Sequence, residues 1–392
     1  MNQIYPVYEV NRNQRSKEKD ELATTGYLEK FWIDHPQLGR SLVKLDQSTA
    51  PGWSEKIAYE LAKLLNIPSA RYEIGIYENR SAIVSPDYHR SQASYISGDN
   101  LIKNTLQDNR YNVNNCFQAL IQNQIAAPFG YKTFEAIKDA ADVFVGYLML
   151  DDLIANNDRH GANWEVEIND RGNKYLAPVF DNGASFGCDF GSLVYDNKSP
   201  QQYTEEIVSM FGVTTNEVFQ AAASIKPKAA RYWKTQLEQL SSEQFQTLFE
   251  RIPPGQISDK ARKYALDLLN YNRAKILEIE SNKSQKTSLT QTGASANRRT
   301  YLKYREQIPQ KVNPNEGYFS TIVRQEKQDI AIAKLILVDS SVEKTKQILN
   351  QSDRTLSLRA NDNTRAIKYV EQVITKAQKS KAASPQQENQ ID

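Results

Sequence analysis

LIANNDRHGANWEVEINDRGNKYLAPVFDNGASFG, residues Leu153 to Gly187, spaces three polar side chains, Asp158, Asn163 and Asp181, around a hairpin. Trp164, Val166 and Ile168 alternate with Glu165 and Glu167, Asn169-Asp170-Arg171-Gly172-Asn173 supplies a turn, and Lys174 to Phe180 returns. That is the pattern of two antiparallel strands. Strands of about five to seven residues bring a chain back close to where it left. Asp181 is therefore expected beside Asn163, with Asp158 on the loop just before them. Two side-chain oxygens so placed suit Mg²⁺, a hard cation that takes oxygen donors and keeps substrate phosphates in its shell. The extra carboxylate of Asp158 suits a base facing a hydroxyl.

Upstream, YLEKFWIDHPQLGRSLVKL (27–45) reads as a hairpin whose second strand ends at Lys44. A short loop, Asp46 to Gly52, leads to WSEKIAYELAKLLNIP, where Ile57, Ala58, Leu61, Ala62, Leu64 and Leu65 recur at helical spacing and Ser54 is the expected N-cap. Strands are expected at Ala70 to Tyr77 and Ala82 to Ser85, so the order is β-β-α-β-β. A Lys on a strand and a Glu in the first turn of the next helix, here Lys44 and Glu55, make the phosphate-holding pair of a kinase-like small lobe. Glu60 competes with Glu55 for that place. No G-x-G-x-x-G is present, and Gly26 is the one glycine ahead of the first hairpin. A phosphate loop would be SKEKDELATTG, working through backbone N–H groups and hydroxyls. Thr24 and Thr25 beside Gly26 raise the idea of autophosphorylation there, and equally read as ordinary loop hydroxyls.

Between Leu101 and Tyr131 the chain is polar and gives no clear pattern. TFEAIKDAADVFVGYLMLDDLIANN reads as a long buried helix that delivers the chain to Asp158. Helices around 203–223, 229–240, 242–251 and 258–280 complete an all-helical large lobe, with a capping box at Ser241 and Gln244 and Ser258 opening the last.

Composition bounds the rest. A chain of 392 residues, 40% hydrophobic, holds two or three domains and a full core. Two cysteines and three scattered histidines exclude a disulfide framework and argue against a zinc enzyme; a reducing cytoplasm is the expected compartment. The apolar run Val143 to Leu150 is far too short for a membrane span, and no signal-peptide core opens the chain. Residues 281–392 carry 19 Lys+Arg against 11 Asp+Glu, a net +8, leaving 30 against 36, a net −6, for the rest. SNKSQKTSLTQTGASANRRT has linker composition, so a boundary falls near 282–298. Residues 299–392 hold three amphipathic helical patterns. Their positive charge suits nucleic acid or an acidic protein, and suits solvated helix faces better, since no helix-turn-helix or stacking motif is readable.

TGYLEKFWI (25–33), SLVKL (41–45), GWSEKIAYELAKLLNIPSARYE (52–73), AIVSPDY (82–88), DDLIANNDRHGANWEV (151–166) and LAPVFDNGASFG (176–187) together resemble the HipA-like serine/threonine kinases, over roughly residues 20 to 280. The resemblance implies an α+β, two-lobed protein-kinase-like fold: an N-lobe over 1–98, a C-lobe over 99–281, a linker over 282–298 and an extra basic α-helical domain over 299–392. It implies ATP and Mg²⁺ as cofactors, Asp158 as catalytic base, Lys44 with Glu55 on the phosphates, and Asn163 and Asp181 as metal ligands. Thr25, Gly26, Val84, Ser85, Tyr88 and His160 complete the expected nucleotide contacts, with Val84 to Tyr88 as the hinge that holds adenine through its backbone. His160 by itself reads as a structural residue bonding loop backbone or Asp181, and Arg159 as a phosphate contact or a partner of Asp151 or Asp152. The substrate implied is a Ser/Thr-bearing protein, and the family's toxins have an antitoxin partner. Asp-Arg-His-x-x-Asn and Asp-Asn-Gly are also shared with phosphoinositide kinases, which keeps a lipid or small-molecule hydroxyl open. A non-catalytic nucleotide-binding module is the third reading, disfavoured because Lys44, Asp158, Asn163 and Asp181 are all present.

Overall fold

The computed structural model describes residues 3–16, 29–46, 52–107, 110–188 and 192–279, with Thr345, Ile374, Thr375 and Gln378 beyond them. Thr24, Thr25, Gly26 and the basic region 299–392 as a set of helices therefore lie outside the described residues. The chain divides into two compact units, Met1–Lys283 and Ser284–Asp392, and every element below belongs to the first.

The first sheet holds β1 (Val7–Val10), β2 (Lys30–His35), β3 (Gly39–Leu45), β4 (Glu73–Tyr77) and β5 (Arg80–Pro86), in the order β1-β4-β5-β3-β2. Only β1, which the sequence did not announce, runs parallel to its neighbour, β4. The β2–β3 turn closes at Gly39, whose φ of +70° suits a residue without Cβ; the ring Nδ1 of His35 accepts the N–H groups of Gln37 and Leu38. Side chains alternate across a sheet. Phe31, Ile33, Val43, Leu45, Ala82 and Val84 bury together on one face. The register Lys30↔Lys44, Trp32↔Leu42, Leu42↔Ser85 and Lys44↔Ile83 puts the intervening side chains on the other.

Helix α1 (Gly52–Leu64) packs its Ile57, Ala58 and Leu61, all fully buried, toward β4 and β5. It starts two residues earlier than expected, so Ser54 is not its cap. The Ser54 hydroxyl instead donates to the carbonyl of Gly183, tying the helix to the exit of the central hairpin.

That hairpin is β7 (Glu165–Ile168) and β8 (Lys174–Leu176), with an unanticipated edge strand β6 (Ser94–Ser97) on β7. Asn169 Oδ1 accepts the N–H groups of Arg171 and Asn173, and Gly172 takes φ +77°, which closes the turn. The strands are shorter than their alternation suggested. Trp164 stays outside the ladder as a buried core residue. After Leu176 the chain leaves β7, its Ala177 carbonyl accepting the Tyr147 hydroxyl and Val179 bridging to Ser69.

Helices make up the remainder: α2 (Gly98–Leu106), α3 (Val113–Gln122), α4 (Ala140–Ile154), α5 (Ser192–Asn197), α6 (Pro200–Glu206), α7 (Thr215–Ile225), α8 (Pro227–Glu238), α9 (Ser242–Glu250) and α10 (Asp259–Glu278). α4 is buried on every side, capped by Asp139 at its start and closed by Ala155 in the left-handed region, φ 51°. The single helix expected over 203–223 is two, because capping boxes at Ser199 and Thr214 start α6 and α7 separately and Gly212 at φ +77° turns the chain between them. Ser241 and Ser258 cap α9 and α10 as expected. The unreadable stretch 101–131 contains most of α2 and all of α3.

Candidate active site

Lys44 projects from β3 between two carboxylates: its Nζ lies 3.0 Å from Glu55 Oε1 and 2.6 Å from Asp181 Oδ1. Glu55 is held in turn, its Oε2 accepting the Asn182 N–H at 2.8 Å. One ammonium thus joins β3, α1 and the exit of the β7–β8 hairpin. Asp181 sits at φ 56°, a strained setting for a side-chain-bearing residue, and its N–H donates to the Tyr72 hydroxyl at 2.9 Å. Glu60, the rival for the lysine, pairs with Lys56 and Lys63 instead.

The charges of this triad depend on each other. Burial alone would drive both carboxyls up and the ammonium down. For Asp181 the adjacent Lys44, with help from Arg159 and Lys30, outweighs burial and holds the carboxyl at about 2. For Lys44 the two carboxylates outweigh burial and keep the ammonium charged. Glu55, the more deeply enclosed of the two acids, stays raised by burial despite Lys44.

The loop after α4 carries the other acid. Arg159, fully buried, pairs with Asp151 through two nitrogens, and its Nη1 donates to the main-chain carbonyls of both Asn163 and Phe180 at 2.6 Å each. Its Nη2 also reaches Asn182 Oδ1 at 2.6 Å. Asn163 and the residue ahead of Asp181 are therefore locked to one guanidinium. Asn163 Nδ2 donates to the Asp158 carbonyl at 2.8 Å, which fixes the amide with its oxygen as the end left for a cation. Asn156 Oδ1 accepts the Asp158 N–H at 3.2 Å, and the Tyr111 hydroxyl donates to the Arg159 carbonyl at 2.9 Å while accepting the Trp164 indole N–H at 2.9 Å.

Of the residues singled out in the sequence, Lys44, Glu55 and Asp181 meet directly, and Asp158 and Asn163 meet each other on a loop that Arg159 ties to Phe180 and Asn182. His160 Nδ1 accepts the Ala162 N–H within the loop. Val84 turns its side chain into the outer core and pairs on both sides, with Val43 and Glu73. The β4 register ends there, and Ser85 is the next residue on the inner face. Tyr88 stacks on Phe180 with centroids 5.6 Å apart and donates to Glu165 at 2.9 Å, which joins the end of β5 to β7. Sequence reasoning missed Tyr72, Asn182 and Lys30. Lys30 stood in the quoted hairpin opposite Lys44, a signal available from the register alone.

Asn163 and Asp181 each carry an oxygen of the kind magnesium takes, the first an amide oxygen oriented by its own hydrogen bond and the second an ionised carboxylate that also meets Lys44. Among the described residues no group of three or more His, Cys, Asp or Glu is placed to hold a metal, so no all-protein cage competes with this pair.

No family model and no curated protein matches the sequence. Among solved structures the chain is similar to the Helicobacter pylori proinflammatory kinase CtkA, with a TM-score of 0.53 and 14% identity over 70% of this chain and 96% of that one. It is also similar to HipA of Shewanella oneidensis MR-1, solved with HipB and operator DNA, with a TM-score of 0.40 and 13% identity over 69% of each chain. At such identity the likeness is one of fold, and the first of the two carries it: the chain has the mixed α+β fold of that kinase. No helix among the described residues is long and apolar enough to cross a membrane.

Proposed function

We propose that this chain is a HipA-like kinase that uses ATP and Mg²⁺ to phosphorylate a Ser or Thr hydroxyl of a protein. The observation that carries the reading is the bridge from Lys44 to both Glu55 and Asp181, three residues far apart in sequence and brought together with charges that need one another. A kinase site asks for little more than positioning and charge neutralisation.

In this reading the Lys44 ammonium, steered by Glu55, binds phosphate oxygens. Asn163 and Asp181 would hold a magnesium ion, which would supply charge neutralisation at the terminal phosphates. The acceptor oxygen bonds to the γ-phosphorus as the bond to the departing ADP breaks, and its proton passes to the Asp158 carboxylate. Arg159 keeps Asp158 and Asn163 in register with Asp181 by holding the main chain of both segments.

Incubation with labelled ATP and Mg²⁺ against whole-cell protein and lipid extracts tests this. Label is expected in protein, at seryl or threonyl residues, and lost in Asp158→Ala and Asp181→Ala. Label in lipid moves the acceptor to the phosphoinositide-kinase type, and equal labelling by wild type and variants removes the catalytic assignment.

A further inference from the structure

Lys30 stands directly opposite Lys44 in the β2–β3 ladder. Residues so paired send their side chains from the same face, with Cβ atoms about 4.5–5.5 Å apart, and this is the face from which Lys44 reaches Glu55 and Asp181. The two lysines differ in what meets them. Lys44 has two carboxylates, whereas the half-buried side chain of Lys30 makes no hydrogen bond or ion pair among the described residues. Burial lowers its pKa and Lys44 lowers it further, with Asp181 pulling the other way, so its ammonium feels the same charges as the triad.

Like charges directly across a sheet cost stability, and a half-buried ammonium without a partner costs more. An apolar residue would suit that position better for folding alone, since the neighbouring Phe31 and Trp32 show that β2 buries large apolar side chains. A cation kept there, directly across from Lys44, is matched to an anion that the described residues do not supply. The anion must lie where Lys44 and Asp181 also reach, and in the kinase reading that is the nucleotide's phosphate chain.

We propose that Lys30 is a second phosphate-binding lysine, which together with Lys44 holds the terminal phosphates of a nucleoside triphosphate and sets the preference for tri- and diphosphates over the bare nucleoside. This deepens the kinase reading and rests on it.

The test is calorimetric titration of wild type, Lys30→Met, Lys30→Gln and Lys30→Arg with ATP, ADP and adenosine, all with Mg²⁺, beside melting curves of each protein without nucleotide. Losing one charge-assisted contact should weaken ATP binding about tenfold in the Met and Gln variants, leave adenosine unchanged, and be largely restored by Arg. Without nucleotide the Met variant should melt no lower than wild type, because it relieves the like-charge pairing with Lys44. ATP affinity unchanged in Lys30→Met and Lys30→Gln, with wild type still preferring ATP to adenosine, overturns this inference and leaves the kinase reading standing. Wild type binding ATP no better than adenosine overturns the kinase reading itself, and this inference with it. A fall in ATP and adenosine affinity together, with a lower melting temperature, marks Lys30 as merely structural and also overturns the proposal.

Discussion

Arg159 and Asp151 form a two-pronged ion pair inside the large lobe, Nε to Oδ2 at 3.0 Å and Nη2 to Oδ1 at 2.9 Å, with side chains only 1% and 4% exposed. Asp151 belongs to the last turn of α4 and Arg159 to the loop beyond it, so the pair converts the most buried helix of the fold into a fixed mount for the loop that carries Asp158 and Asn163. Removing one partner leaves an uncompensated buried charge, which costs far more than the pair itself contributes. Arg159→Met should destabilise the protein by about 3–5 kcal/mol, read from urea unfolding. A loss under about 1 kcal/mol, the range of an exposed ion pair, would show that the pair is dispensable.

Lys44→Met tests the triad. Without the shared cation, Glu55 and Asp181 repel, and Asp181 loses the main influence that holds its carboxyl at about 2 rather than the ordinary 3.8. A depressed carboxyl stabilises the fold above its unfolded value and loses that contribution as pH falls toward its folded one. Wild type should therefore lose stability between pH 3.8 and about 2 through this group, and Lys44→Met should lose less over the same window. Phosphoryl transfer by the variant should fall about 10²–10³-fold, as for loss of a preorganised electrostatic contact. Glu55→Gln, which keeps a hydrogen-bond acceptor for Lys44, should fall less, and single-turnover transfer compares them.

Two glycines separate packing from positioning. A Cβ on Gly98 would drive into the Trp164 ring, and one on Gly161 into the Asp99 carboxylate. Gly98→Ala displaces a fully buried indole in the core, so it should destabilise by about 1–3 kcal/mol. Gly161 lies between His160 and Asn163 on the Asp158 loop, against an exposed Asp99 side chain that has room to move. Gly161→Ala should accordingly cost more in transfer rate than in stability. Thermal melts and initial rates on both variants decide it, and the opposite ranking would mean the loop is not held through Asp99.

Much of this was legible in the sequence because it rests on local pattern. The β2–β3 hairpin, α1 and the β7–β8 turn each show a periodicity or a turn signal of their own; Lys44 and Glu55 sit near the ends of the first two, and Asp158, Asn163 and Asp181 flank the third in sequence. What stayed hidden depends on partners distant in the chain. β1 is a four-residue strand paired with β4, β6 is one paired with β7, and neither has enough length to show alternation. The extent of Arg159's contacts could not be read either: Asp151 was one of its anticipated partners, but the carbonyls of Asn163 and Phe180 come into reach only once the hairpin closes. Ser54 was misplaced because α1 begins at Gly52, beside the carboxylate of Asp46, and its hydroxyl is committed to Gly183.

His89 joins the two sheets electrostatically, its ring nitrogens lying 2.9 Å from Asp87 Oδ1, just past β5, and 2.9 Å from Glu165 Oε1 at the start of β7. Burial by itself would lower its pKa, but hydrogen bonds to the two carboxylates prevail and raise it to about 9. A raised imidazole stabilises the fold fully below its unfolded pKa and loses that contribution as pH rises through the folded value. Stability should therefore fall between pH 6.5 and about 9, by about 1–2 kcal/mol once solvent screening of this partly exposed ring is allowed for. His89→Gln should flatten that slope while lowering stability at pH 6, where the charged ring otherwise holds Asp87 and Glu165 together. Denaturant unfolding of both proteins across the range provides the comparison. A wild-type slope that persists in His89→Gln would assign the pH dependence to another group.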